Sequence, residues 1–108
     1  MIIRSDALAN VYARSLFELA KDAGGTDKVL EISDELEQVC ELVAQLPELG
    51  VFFSSPVIDV ARRSKVLSTI FSNRVTDLTL RFFLVLNDKG RLNHLEAIAI
   101  AFDALVQE

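Results

Sequence analysis

Nearly every apolar residue of this chain recurs at three-four spacing, and that periodicity restricts it to helices. Leu8, Tyr12, Ser15 and Leu19 form one such row, and Ala9, Ala13, Leu16 and Ala20 form a second row beside it. The opening helix is therefore apolar on two adjacent faces. No alternating run of strand type competes: Ile2-Ile3 and Val57-Ile58 are short and lack partners of comparable length.

The punctuation divides the periodic stretches into six expected helices. Asp6 is placed to cap the first, Lys21 sits in its last turn and Gly24-Gly25 ends it. Thr26 or Asp27 opens the second, whose stripe is Val29, Ile32, Leu36, Val39, Val43 and Leu46, widened by Leu30, Cys40 and Leu42. Glu31, Asp34, Glu35, Glu37 and Glu41 crowd its other side and predict a solvated face. Pro47 suits the start of a short helical turn over 47–53. Ser55 precedes Pro56 and is pushed out of helical geometry, ending that turn.

Asp59 is the expected cap of a fourth helix over 60–72, burying Val66, Leu67, Ile70 and Phe71. Thr76 or Asp77 caps a fifth helix, apolar nearly all round, with Leu78, Leu80, Phe82, Phe83, Leu84, Val85 and Leu86. Gly90 ends it in a left-handed cap, and either Asn93 or Arg91-Leu92 begins a sixth carrying Leu95, Ile98, Ala99, Phe102, Leu105 and Val106. The expectation is an all-α chain: one six-helix bundle over 1–108, with short connections favouring antiparallel neighbours.

Composition narrows the function classes. A chain of 108 residues is the size of one domain. With 51% hydrophobic residues, it either buries most of them or keeps apolar surface for a partner. No run approaches the length of a membrane span. Asp6 and Asn10 interrupt the segment where a secretion signal needs an apolar core. The net charge is −5, and the basic clusters Arg62-Arg63-Ser64-Lys65 and Lys89-Gly90-Arg91 are short. Nucleic acid and a directly bound anionic bilayer are therefore disfavoured as partners. The single cysteine, Cys40, lies in an apolar register, which predicts a buried free thiol in a reducing compartment.

Catalytic groups are sparse. His94, the sole histidine, has neither a nucleophile nor a second metal ligand at suitable spacing, so it reads as a surface or capping residue. Gly24-Gly25 follows a helix and lacks the lysine of a phosphate loop. Ser54-Ser55 has no base near in sequence. No cofactor or metal is implied. What remains is apolar excess on the first and fifth helices. Two such helices side by side would leave a groove for an amphipathic helix of another protein, or else both are wholly buried.

Three stretches together resemble the delta subunit of F-type ATP synthase, the oligomycin-sensitivity-conferring protein family. They are YARSLFELAKD from Tyr12, FFSSPVIDVARRSKVL over 52–67 and FFLVLNDKGRLNHLEAI over 82–98. The resemblance covers essentially the whole chain. It implies the family's N-terminal helical domain, a monomeric bundle with no catalytic role. In that family the domain holds the N-terminal helix of an alpha subunit between its first and fifth helices, so that the catalytic headpiece is kept from turning with the rotor. The b-subunit stalk binds a C-terminal domain that this chain lacks. Carried over by motif position, Tyr12, Ser15 and Val85 face the partner. Helical spacing extends the two faces to Leu8, Leu19, Leu78, Arg81, Phe82 and Asp88, with Phe82 alternatively in the core. Membrane association would be indirect, on the cytoplasmic side of a bacterial plasma membrane, with an organelle equivalent as the alternative. A helical adaptor for some other amphipathic helix is the second reading.

Overall fold

The computed structural model describes residues 6–108. The Asp6 cap and the Ile2-Ile3 pair lie outside the described side chains. Five α-helices and one 3-10 turn follow in order: α1 Asp6–Gln45, α2 Pro47–Ser54, α3 Val60–Phe71, α4 Asp77–Asp88, the turn Leu92–His94 and α5 Leu95–Gln107. No strand occurs among the described residues. The all-α class is as expected, but the count is five rather than six. The first two expected helices run together as α1, with non-helical backbone at Gly24 and Gly25. Gly25 has φ 65 and ψ −152, a conformation that a Cβ makes costly. The backbone leaves helical geometry at both glycines, so Asp6–Gln45 holds two helical arms, and the break between them falls where the glycine pair was expected to end the first helix. The expected fifth helix is α4 and the expected sixth is α5.

The chain divides into two compact units. The first runs to Cys40 and includes His94–Glu108; the second is Glu41–Asn93. In the first unit Ala9, Ala13, Leu16 and Ala20 are fully buried, as are Ile32, Leu36, Ile98 and Phe102. Phe17 meets Phe102 edge to face at 5.8 Å, and Lys21 lies over the Phe17 ring. In the second unit α3 packs on α4, with Phe71 against Phe83 at 5.5 Å. Leu49, Phe53, Leu67, Leu86 and Leu92 complete that core.

Local chemistry sets the boundaries. Pro47 starts α2, and Ser55 ends it with ψ 124, the extended geometry that a following proline demands. The Asp59 carboxylate accepts the Arg62 N–H at 2.7 Å, capping α3. Glu35 departs from expectation: it is only 9% exposed. Its register explains this, because position 35 lies three residues after Ile32 and four before Val39, on the buried stripe.

Candidate functional site

The two apolar rows of the opening helix have different fates. The row Ala9, Ala13, Leu16, Ala20 is core, while Leu8 and Tyr12 are half-buried, Ser15 is exposed and Leu19 is 50% exposed. Three of the four inner positions are alanine, with Leu16 the one large side chain among them. A similar division occurs in α4. Thr79, Phe82, Phe83, Leu86 and Asn87 are buried. Leu78 is half-buried, Arg81 and Asp88 are exposed, and Val85 is 48% exposed. Residues 78, 81, 85 and 88 share one side by helical spacing.

Phe82, expected on this face with the core as its alternative, is 8% exposed. Its side chain belongs to the inward side of α4, one residue round from Arg81. Leu84 is half-buried. Arg81 pairs with Asp77 at 3.2 Å one turn away. Such an exposed pair contributes about 0.3–0.5 kcal/mol.

The end of α4 is tied down by Arg63, a member of the short basic cluster Arg62-Arg63-Ser64-Lys65. Arg63 is buried. Its Nε donates to Phe52 O at 3.0 Å, Nη2 donates to Ser55 O and to Ile58 O at 3.0 Å, and Nη1 donates to Asn87 Oδ1 at 3.1 Å. The guanidinium also lies 5.9 Å from the Phe52 ring centre. Asn87 completes the network, donating to Val60 O at 3.0 Å and Ser64 Oγ at 2.9 Å. A rigid five-donor fork is suited to gathering several carbonyls at once. The loop after α2 is thereby tied to both α3 and the last turn of α4. A signal was present: Arg63, Leu67 and Phe71 recur every four residues, which places Arg63 on the inward row of α3.

The corner after α4 is a Schellman cap. The Gly90 N–H donates to Asn87 O at 3.1 Å and the Arg91 N–H to Leu86 O at 2.7 Å. Gly90 has φ 72, as expected of its position. The Arg91 backbone closes the cap, and its buried side-chain Nε has no hydrogen-bond partner among the described residues.

Cys40 is a free, half-buried thiol. Burial, aided by the negative charge of Glu96, pushes it up from an ordinary 9.0 to about 11. It is therefore protonated and a weak nucleophile near neutrality. His94 occupies the N-cap position of α5 without a side-chain capping bond. Among the described residues no three His, Cys, Asp or Glu side chains are grouped to hold a metal ion. Among the same residues no helix is long and apolar enough to cross a membrane.

These features define an all-helical chain whose conspicuous surfaces are partly apolar helix faces. Residues 8–108 match the family described as ATP synthase delta (OSCP) subunit. The chain is 35% identical over 101 residues to the chloroplastic ATP synthase subunit delta of Gracilaria tenuistipitata var. liui, covering 94% of this chain and 53% of that one. It is 35% identical over 102 residues to ATP synthase subunit delta of Symbiobacterium thermophilum, covering 94% and 53%. Against the subunit delta of Prochlorococcus marinus strain AS9601 it is 30% identical over 103 residues, covering 95% and 56%. The chain belongs to the ATP synthase delta (OSCP) subunit family. It spans about half the length of the curated relatives it matches.

Proposed function

We propose that this chain is an N-terminal helical domain of an ATP synthase delta subunit and serves as a non-catalytic stator component. Its partner is the N-terminal helix of an alpha subunit. The contacts are Leu8, Tyr12, Ser15 and Leu19 on the first arm of α1 with Leu78, Arg81, Val85 and Asp88 on α4. A stator must withstand torque, so a slowly dissociating apolar contact suits it better than a fast electrostatic one. Arg81 and Asp88 would set the register of the bound helix. Attachment to the b-subunit stalk, and through the complex to the membrane, falls to a C-terminal domain. A bacterial cytoplasmic face and a chloroplast equivalent both suit the relatives, which include bacterial and chloroplast forms.

The observation that carries the reading is the family match across residues 8–108 in a chain that leaves Leu19 and Val85 about half exposed. The test is titration with a synthetic peptide covering about 25 residues of an alpha subunit N-terminus, a helix of about 38 Å at 1.5 Å per residue. Expected is saturable binding at micromolar or tighter, about 8 kcal/mol, with backbone shifts on α4 and the first arm of α1. Leu19→Ala and Val85→Ala should each weaken it severalfold without unfolding the chain. Shifts confined to other helices would leave the general helical adaptor as the better reading.

A further inference from the structure

A second surface, in the first unit alone, presents two helices with the same spacing. Ser33, Leu36, Glu37 and Cys40 of α1 and Glu96, Ala99, Ile100 and Asp103 of α5 line one open groove of about 280 Å³. Each set falls at positions one, four, five and eight, which is one side of a helix. Leu36 is buried at the base, while Cys40, Ala99 and Ser33 are half-buried. Ile100 stands 67% exposed as an apolar wall. Glu37, Glu96 and Asp103 are exposed around it. Neither the Lys28–Glu31 nor the Arg81–Asp77 ion pair involves these three carboxylates.

The charge decides what can enter. An anionic bilayer or a nucleic acid is repelled by three carboxylates and a net charge of −5. A second copy of the chain would bring the same carboxylates to the contact. Small polar ligands are poorly served, since the volume is at the lower limit of the ~300–1,000 Å³ usual for such sites. Two helices with small residues between them offer a seat for a third helix, whose apolar side chains enter at three-four spacing. We propose that this groove binds a cationic amphipathic helix of a partner protein, with aliphatic anchors against Leu36, Ala99 and Ile100 and Lys or Arg side chains opposite Glu37, Glu96 and Asp103. The surface is separate in sequence from the α1 and α4 faces of the stator reading and does not depend on it.

Cys40 is the only cysteine and lines the groove, so it reports occupancy without an added label. The test uses the full chain and a designed helical peptide with leucines at three-four spacing flanked by lysines, with its lysine-to-glutamate counterpart as control. The cationic peptide is expected to bind saturably, to shift the amides of the groove residues and to slow Cys40 alkylation at least fivefold. Ile100→Gln and Glu96→Lys should each weaken binding about tenfold while leaving the helical spectrum unchanged. The acidic peptide should not bind. Sensitivity to Glu96→Lys with indifference to Ile100→Gln would reduce the effect to general charge attraction and overturn the groove. Unmoved groove amides, binding to anionic vesicles through these residues, or occlusion of Cys40 by self-association at the working concentration would also overturn it.

Discussion

Replacing Arg63 by methionine keeps most of the side-chain volume and removes the guanidinium. Three backbone carbonyls, those of Phe52, Ser55 and Ile58, and Asn87 Oδ1 then lose their donor. Hydrogen bonds to a charged group contribute about 1.5–3 kcal/mol each. The sum is not the answer, for two reasons. Desolvating the guanidinium on folding already costs several kcal/mol, which the substitution recovers. Ser55 is also half-buried, so water reaches part of the vacated space. A net loss of about 2–4 kcal/mol follows, against a total of roughly 5–15 kcal/mol for a domain. In urea, with a slope of ~1–3 kcal/mol/M, the midpoint should fall by ~1–3 M. All of Arg63's partners lie in Glu41–Asn93, whereas Tyr12, the only tyrosine, and with no tryptophan present, lies in the other unit. Helical circular dichroism and tyrosine fluorescence should therefore be followed together. If the units unfold separately, the dichroism transition moves and the fluorescence transition stays; if they unfold together, both move. Arg63→Lys should recover under half of the loss, because a point ammonium cannot span four acceptors. A double-mutant cycle with Asn87→Ala should show coupling above ~1 kcal/mol. A methionine variant within ~0.5 kcal/mol of the parent would refute the argument that this network holds the end of α4.

Two further outcomes follow from the same geometry. Gly90→Ala should cost about 1–2 kcal/mol, because φ 72 is left-handed and the strain persists although nothing crowds the added methyl; thermal unfolding would reveal it, and an unchanged midpoint would mean the cap had rearranged. Cys40 should alkylate slowly at pH 8 and progressively faster toward pH 11, since its thiol is raised from 9.0 to about 11 by burial and then by Glu96. The folded chain holds that proton more tightly than the unfolded one, so the associated stability is fully present below pH 9 and lost between pH 9 and about 11. A Cys40→Ala variant should lose that part of the pH dependence, measured as the change in urea midpoint across the window.

The helices were legible because their evidence is repetitive. A row such as Ala9, Ala13, Leu16, Ala20 states its face four times, and the structure buries all four. Boundaries carried by stereochemistry were equally readable: Ser55 before Pro56, the Asp59 cap and the left-handed Gly90 need no tertiary information. The Gly24-Gly25 break was readable too: both residues leave helical geometry, and helix resumes so soon after them that one span, Asp6–Gln45, covers both arms. At Glu35 residue type argued for the solvated side and register for the buried stripe, and register prevailed; Arg63 is buried on the inward row of α3 in the same way, while Phe82 takes the core position that was its alternative.

That ordering bears on the candidate site itself. Leu19 and Val85 are apolar residues that stay about half exposed, while Glu35 and Arg63 are charged residues on buried rows. Hydrophobicity alone would have exchanged these roles. The backbone fixes which positions face inward once the strongest rows are committed, and the remaining residues follow whether or not their chemistry suits the interior. Arg63 is accommodated by a ring of acceptors drawn from the loop beside it. Leu19 and Val85 leave about half their surface exposed, and that is the area the proposed helix contact would cover.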